Sequence, residues 1–274
     1  MVGHMNKSLG KKGTPSDIRV AAMSLIWGFP ELELYDSWLR EASEAGYDGV
    51  TCFAQDISPL VKNGVLCAML DRYGLDLAAL DWRMGDDLGA CRRYFDWMRD
   101  FGCSRFVCID PATDGKDYRG LARRVNRVAS MAQDYGIECF YHNHTAAVGE
   151  TYGDMKELIR HFDPDSVSLM LDIGHATKDF REFPPDERAI RYLREFGDRI
   201  TYLELKDWSA ETDLNTPLGE GSADWVEIFS YLKDTGYKGW LTVEQNGNDG
   251  HSKGRLPRTS ARISRDFLRK HLGV

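Results

Sequence analysis

Residues 131–144 read MAQDYGIECFYHNH: an amphipathic stretch closes on Gly136, a short apolar run follows, and the run ends in polar residues at His142 and His144. The same phrase recurs as 41–53 EASEAGYDGVTCF, 71–80 DRYGLDLAAL, 98–109 MRDFGCSRFVCI, 194–205 REFGDRITYLEL and 233–244 KDTGYKGWLTVE. A repeated helix-then-strand unit implies a parallel sheet joined by crossover helices. Gly46, Gly74, Gly102, Gly136, Gly197 and Gly236 fall where a helix C-terminus favours a residue tolerant of the left-handed conformation. Between them the apolar residues are spaced by three or four, as in Leu34, Trp38, Ala42, Ala45 and in Leu121, Val125, Val128, Ala132, so each helix buries one stripe. Helix starts are predicted at Ser58-Pro59, with proline at the first helical position, and at Pro184-Pro185-Asp186-Glu187, with acids in the first turn.

With a first strand and one near 167–172, eight strands are predicted, at about 18–24, 48–53, 76–82, 105–110, 138–143, 167–172, 200–206 and 240–245. Eight β/α units in 274 residues match the ~250 residues of a closed (β/α)8 TIM barrel, an α/β fold. No GxGxxG or phosphate-binding loop follows any strand, which lowers an open nucleotide-binding sheet. Residues 1–16 are polar and carry a Gly-His-Met resembling a cloning remnant; they are expected to be a disordered extension, with 17–274 a single barrel domain that carries the catalysis.

The formal net charge of −8 leaves no broad cationic face for phosphate neutralisation, so nucleic acid is not an expected partner. No apolar run approaches the ~20 residues of a membrane span, and the N-terminal stretch lacks the apolar core of a signal peptide. Cys52, Cys67, Cys91, Cys103, Cys108 and Cys139 form no CxxC pair and read as reduced, mostly apolar thiols of a cytoplasmic protein.

Barrel enzymes place their chemistry at the C-terminal strand ends. The last four predicted strands end CFYHNH, SLMLDIGH, TYLELKD and LTVEQN. Alternation turns His142, Asp172, Glu204 and Glu244 inward while Tyr141, Leu171, Leu203, Leu205, Leu241 and Val243 face the helices. One imidazole and three carboxylates suit a single divalent metal, Mn²⁺ foremost, with Mg²⁺, Co²⁺ or Zn²⁺ as alternatives. The structural alternative pairs each acid with a basic residue at the rim. Four such groups without a cation would be costly to bury, which favours metal.

His144 and His175 lie beside these acids as candidate proton carriers, whereas His161, His251 and His271 read as surface or helix-end residues and His4 belongs to the extension. Lys206 faces the same interior as Glu204, either contacting substrate oxygens or pairing with an acid. Trp27, Trp82 and Arg83 end the first and third strands as a candidate sugar-stacking wall and hydrogen-bonding arm. The long segment from Trp208 to Trp225, containing Gly219-Glu220-Gly221, is a candidate lid that would bring Glu220 to the substrate.

YHNH (141–144), LDIGH (171–175), LKDW (205–208), PLGEGSADW (217–225) and GWLTVEQ (239–245), in this order, resemble the xylose isomerase-like sugar phosphate isomerase/epimerase family. That family includes ketose 3-epimerases, hydroxypyruvate isomerase and inosose dehydratase, and the likeness spans the chain after residue 17. It implies a divalent metal held by strands five to eight, with Asp172 and Glu244 as ligands and His175 on substrate. Two positions depart: His142 stands where the ketose epimerases have glutamate, and Glu204 where the family commonly has histidine. Glu150 is an alternative ligand, since related YHNH members carry a glutamate a few residues downstream.

The resemblance implies an enediolate chemistry on a keto-sugar or cyclic polyol, ending in isomerisation or epimerisation, or alternatively in elimination as in inosose dehydratase. His142 removes one of the two opposed glutamates of the epimerases and so weakens a simple 3-epimerase reading. The rivals are a sugar-binding barrel without catalysis, which needs no metal, and an apurinic-site nuclease on the same barrel, which needs a histidine-rich multi-zinc cluster and a basic face. A small carbohydrate is the expected partner; a homo-oligomer or partner subunit is left open.

Overall fold

The computed structural model describes residues 17–28, 31–85, 87–110, 116–247 and 254–274. The N-terminal extension, His4 and His251 therefore lie outside the described residues. The chain alternates β1 (Ile18–Met23), α1 (Tyr35–Ala45), β2 (Gly49–Phe53), α2 (Ala54–Lys62), α3 (Val65–Tyr73), β3 (Asp76–Arg83), α4 (Arg92–Phe101), β4 (Arg105–Ile109), α5 (Tyr118–Gln133), β5 (Glu138–Tyr141) and α6 (Tyr152–Ile159). It continues through β6 (Val167–Asp172), α7 (Ile173–Asp179), α8 (Pro185–Phe196), β7 (Ile200–Leu205), β8 (Asp207–Ser209), β9 (Asp213–Thr216), α9 (Trp225–Asp234), β10 (Gly239–Val243) and α10 (Pro257–His271).

Eight strands close in the order β1-β10-β7-β6-β5-β4-β3-β2, and β8 and β9 form a separate antiparallel ribbon. Closure is made by β1 against β10, in register from Ile18 opposite Gly239 to Ala22 opposite Val243. Alternation sorts the core into two shells. Ala21, Met23, Phe53, Val107, Ile109, Phe140, Met170, Tyr202 and Trp240 fill the bore. Tyr141, Leu171, Leu203, Leu205, Leu241 and Val243 join the larger shell under the helices. Within the bore Thr242 Oγ1 bonds Thr51 Oγ1 at 3.0 Å and Tyr202 Oη at 2.6 Å. No described helix is long and apolar enough to cross a membrane.

Two local expectations are corrected. The helix expected to start at Pro59 begins at Ala54, immediately after β2, and carries Pro59 in its interior. A short strand-to-helix turn left no room for a separate cap at Ser58. Gly197 has φ −56° rather than a left-handed value. A Cβ there would meet Tyr231 Oη at 1.6 Å, so the half-buried tyrosine would have to swing aside. The other helix-ending glycines, such as Gly46 at φ 84°, are left-handed.

The segment from Trp208 to Trp225 is no open loop. After the β8–β9 ribbon it wraps around the buried Asp207 carboxylate. Asp207 Oδ2 accepts from Gly219 N (3.0 Å), Gly221 N (3.1 Å) and Trp225 Nε1 (2.7 Å), and Oδ1 from Trp208 N (2.9 Å) and Ala223 N (3.3 Å). Gly221 approaches so closely that a Cβ would lie 2.1 Å from Asp207 Oδ1.

Candidate metal centre

The C-terminal ends of β5, β6, β7 and β10 deliver His142, Asp172, Glu204 and Glu244 into one group, with one ligand atom from each within 4.8 Å of the others. All four are buried. His142 Nε2 lies 2.8 Å from Glu204 Oε2 and 3.5 Å from Asp172 Oδ2. Asp172 closes β6 and caps α7, its Oδ1 accepting from His175 N at 2.7 Å. Its Oδ2 is buried without a hydrogen-bond partner among the described residues, as is His142 Nδ1. Glu150 is half-buried and stands outside the group.

Lys206 is fully buried and donates to Glu244 Oε1 at 2.5 Å, with His175 Nε2 3.5 Å from its Nζ. Burial would discharge this ammonium, yet Glu244, Asp172 and Glu204 outweigh it and hold its pKa above the ordinary lysine value. Glu244 responds in kind: burial pushes its carboxyl up, but Lys206 wins and holds it at about 2. Glu204 has no such cation, and burial followed by the charge of Glu244 raises it well above the ordinary range. Asp81, on β3, is raised for the same reasons, burial first and Glu244 next.

This charge balance is the test of whether a cation fits. Asp81, Asp172, Glu204 and Glu244 crowd one bore with a single ammonium, and one carboxylate oxygen of Asp172 has no donor to meet it. Oxygen-rich ligation with one imidazole and a vacant lone pair suits a hard or borderline divalent ion. The residues present fit the group.

Around this centre the three histidines meet: the His144 ring lies 4.2 Å from that of His175 and 5.4 Å from that of His142. Burial, then His142 and Lys206, lower the His144 pKa to about 4, and burial and Lys206 lower His175 well below the ordinary value. Both rings are therefore neutral at physiological pH.

Other candidates fall differently. Trp82 is turned outward under the helices and stacks with Phe106 at 5.7 Å, because its neighbour Asp81 takes the inward position. That placement removes Trp82 from the proposed sugar wall. Trp27 packs on Trp38 at 5.4 Å and donates to Glu41 Oε2 at 2.7 Å, so it too serves the helix layer. Arg83 lies over the bore residue Phe53 at 4.0 Å and 3.8 Å from Asp56, at the mouth. Glu220 is exposed and paired with Arg255 at 2.9 Å, away from the four ligands. His161 contacts Glu157 Oε1 at 3.2 Å, and His271 rests on Phe267.

Sequence reasoning passed over Asp81, Asn143, Thr145 and Asp179. Asn143 clamps the Asp172 backbone from both sides, Oδ1 accepting from Asp172 N at 2.8 Å and Nδ2 donating to Asp172 O at 3.0 Å. Its position between two site histidines was the available signal. Asp81 was legible from strand alternation once β3 was in register, opposite Phe53 and Val107.

The closed parallel barrel, with an acid-rich group able to hold a divalent ion at its C-terminal strand ends, has the layout of a TIM-barrel enzyme. The xylose isomerase-like TIM barrel model matches residues 39–271, and the chain belongs to that family. Among known proteins it is similar to the inosose dehydratase of Geobacillus kaustophilus, 26% identical over 93% of this chain and 95% of the relative. It superposes on a xylose isomerase-like TIM barrel protein from Mycobacterium smegmatis in complex with magnesium, TM-score 0.73 and 18% identity over 93% of this chain and 96% of that one. D-psicose 3-epimerase from Clostridium cellulolyticum H10, solved with D-tagatose, gives TM-score 0.71 and 17% identity over 93% and 99%.

Proposed function

We propose that this protein is a divalent-metal-dependent enzyme on a keto-sugar or cyclic ketopolyol, that it removes the proton beside a carbonyl, and that it completes the reaction by expelling a β-hydroxyl as water. The observation that carries the reading is the group His142, Asp172, Glu204 and Glu244 at the strand ends, with Asp172 Oδ2 unpartnered inside it. These four residues would hold the ion, Mn²⁺ by preference for an oxygen-rich set, with Mg²⁺, Co²⁺ or Zn²⁺ as substitutes. When bound, such an ion supplies Lewis-acid polarisation of adjacent substrate oxygens and favours the enediolate.

The chain supplies the rest. Glu244, held as a carboxylate by Lys206, is a base available at any pH above strong acid. Lys206 supplies a fixed positive charge where the enediolate oxygen develops. His144 and His175, neutral and in tilted contact beside the centre, carry the proton needed by a leaving oxygen. Arg83 at the mouth is the hydroxyl-binding arm.

Elimination is favoured over epimerisation by the arrangement of the acids. Epimerisation at one carbon calls for two bases on opposite faces of the substrate, whereas here the ligand carboxylates stand on the adjoining strands β6, β7 and β10, the side toward β5 carries imidazoles, and the carboxyl across the bore, Asp81 on β3, is pushed toward its protonated form by burial and the charge of Glu244. The likeness to an inosose dehydratase along nearly the whole length supports the same outcome. A reducing, cytoplasmic setting agrees with six free thiols, five of them buried.

The test is metal-loaded protein with inososes, ketoses and 3-keto-glycosides in D2O, followed by NMR. Appearance of the unsaturated, dehydrated product is expected; deuterium incorporation with inversion and no water loss would place the chain among the epimerases instead. Full turnover after exhaustive chelation would sink the metal-dependent reading.

A further inference from the structure

Asp81 lies on β3 in register with two bore residues, Phe53 of β2 and Val107 of β4, and is 2% exposed. Neither carboxyl oxygen has a hydrogen-bond partner among the described residues, and none of them forms an ion pair with it. Oδ1 is sealed from solvent, so Oδ2 is the oxygen that opens to the bore. The polar groups nearby are engaged elsewhere. One layer deeper, beside Ala79, the Thr51 and Tyr202 hydroxyls both bond Thr242. Lys206 donates to Glu244, and Arg83 lies over Phe53 toward Asp56.

A buried carboxyl without a partner lowers stability, so its place in the bore calls for a reason other than folding. Metal ligation does not supply one, because Asp81 stands outside the four residues whose donor atoms lie within 4.8 Å of one another. Strand order shows where it does stand. In the closed ring β1-β10-β7-β6-β5-β4-β3-β2, β3 is four steps from β7 in either direction, so Asp81 and Glu204 come from opposite walls. A small molecule engaged by His142, Asp172, Glu204 and Glu244 therefore turns its far edge toward Asp81.

Resting on the reading of this centre as a ketopolyol site, we propose that Asp81 is its specificity-determining residue and binds one hydroxyl on the edge of a cyclic polyol remote from the reacting carbons. A hydroxyl suits this carboxyl because it both donates and accepts, and so meets Oδ2 whether or not the carboxyl carries a proton. An ether oxygen only accepts, and a methylene does neither. A ligand lacking that hydroxyl covers Oδ2 and gives it nothing, which is the arrangement a hydrogen-bonding site rejects most strongly. Asp81 takes no part in breaking bonds. It selects the ring whose far edge carries the right group.

The test is a cycle that pairs loss of the carboxyl with loss of the hydroxyl. Mn²⁺-loaded wild type, Asp81→Ala and Asp81→Asn are titrated calorimetrically with myo-inositol, a cyclic polyol without a carbonyl, and with its monodeoxy analogues, so that no turnover is needed. One deoxy analogue should bind the wild type at least tenfold more weakly than the parent. For Asp81→Ala the same two ligands should differ by less than twofold. Asp81→Asn, whose amide still accepts and donates, should keep most of the preference. Both variants should retain Mn²⁺ after desalting.

A purely structural carboxyl would weaken parent and deoxy ligands alike in Asp81→Ala, and that result would overturn the assignment. So would an undiminished preference in that variant, loss of Mn²⁺ from it, or a wild type that binds no inositol or fails to distinguish any deoxy analogue. Inositol binding with the expected coupling, but no turnover of any ketose or cyclic ketopolyol, overturns the dehydratase reading alone. Turnover without coupling between Asp81 and any hydroxyl overturns the role of Asp81 alone.

Discussion

Single side chains decide whether the centre holds an ion. Asp172 and Glu244 project one oxygen each into the group, and replacing either by alanine should abolish metal retention measured by elemental analysis after desalting. Asn143 touches no ion, yet its two bonds fix the Asp172 backbone, so Asn143→Ala should weaken affinity by about ten- to a hundredfold, read by calorimetric titration with Mn²⁺. The exchanged pair is testable too. His142→Glu and Glu204→His each alter the donor set, and the two side chains are 2.8 Å apart, so their effects should not add. The double variant should bind metal better than the poorer single variant and exchange the α-proton more readily relative to elimination. If Glu150→Ala strips the metal while the double variant gains nothing, His142 is no ligand. Strand alternation made the inward histidine, aspartate and glutamates legible in the sequence. It could not reveal Thr145 or Asp179, because the contacts of Thr145 with the His175 ring and with Asp179 depend on which atoms of a turn meet, and no periodicity encodes that.

Among the elements, the stretch between β7 and α9 departs most from its sequence reading. A segment longer than the usual loop suggested a lid, whereas five donors converge on Asp207 and tie the run down. Removing that acceptor leaves the buried Trp225 indole N–H without its partner, at about 1–3 kcal/mol, and frees four half-buried or exposed backbone N–H groups at a smaller cost each. Asp207→Ala should therefore destabilise the protein by about 2–3 kcal/mol in urea and open the 208–224 stretch to limited proteolysis. Gly221→Ala should do the same by displacement, since its Cβ would sit against the Asp207 carboxylate. The strands themselves were placed to within a residue or two, because Gly-ended helices bracket them. The exception in kind was α2, where Pro59 suggested a start and instead sits inside the helix. Proline marks a preference for first-turn positions, and a short β2–α2 connection overrides it.

At the level of the whole molecule, the crowded bore sets how stability varies with pH and metal. Asp81 and Glu204 bind their protons more tightly folded than unfolded. Their contribution is thus present in acid and lost as pH rises from the ordinary values of 3.8 and 4.5 through the raised folded ones. Glu244 runs the other way: held at about 2, its stabilisation is complete at neutral pH and disappears only in strong acid. His144 and His175, whose pKa values burial lowers, work against this trend below their ordinary 6.5, so metal-free protein should lose melting temperature as pH rises above about 6.5, and Asp81→Asn should flatten that decline in a thermal melt. A saturating divalent ion should offset it, adding about 2.7 kcal/mol at a hundredfold excess over Kd. A melting curve unmoved by Mn²⁺, Co²⁺, Mg²⁺ and Zn²⁺ would contradict a genuine site.

The seam between β1 and β10 has a temporal meaning. A chain emerging from the ribosome presents β1 first, yet β1 must wait for residues 239–243 before its open edge is covered. Glu244 follows directly on that last strand, so the final carboxylate arrives with the act of closure. Nascent chains short of it have an exposed edge and only three of the four donors. If the four residues hold an ion as proposed, a growing chain lacks one of its donors until that last strand is in place.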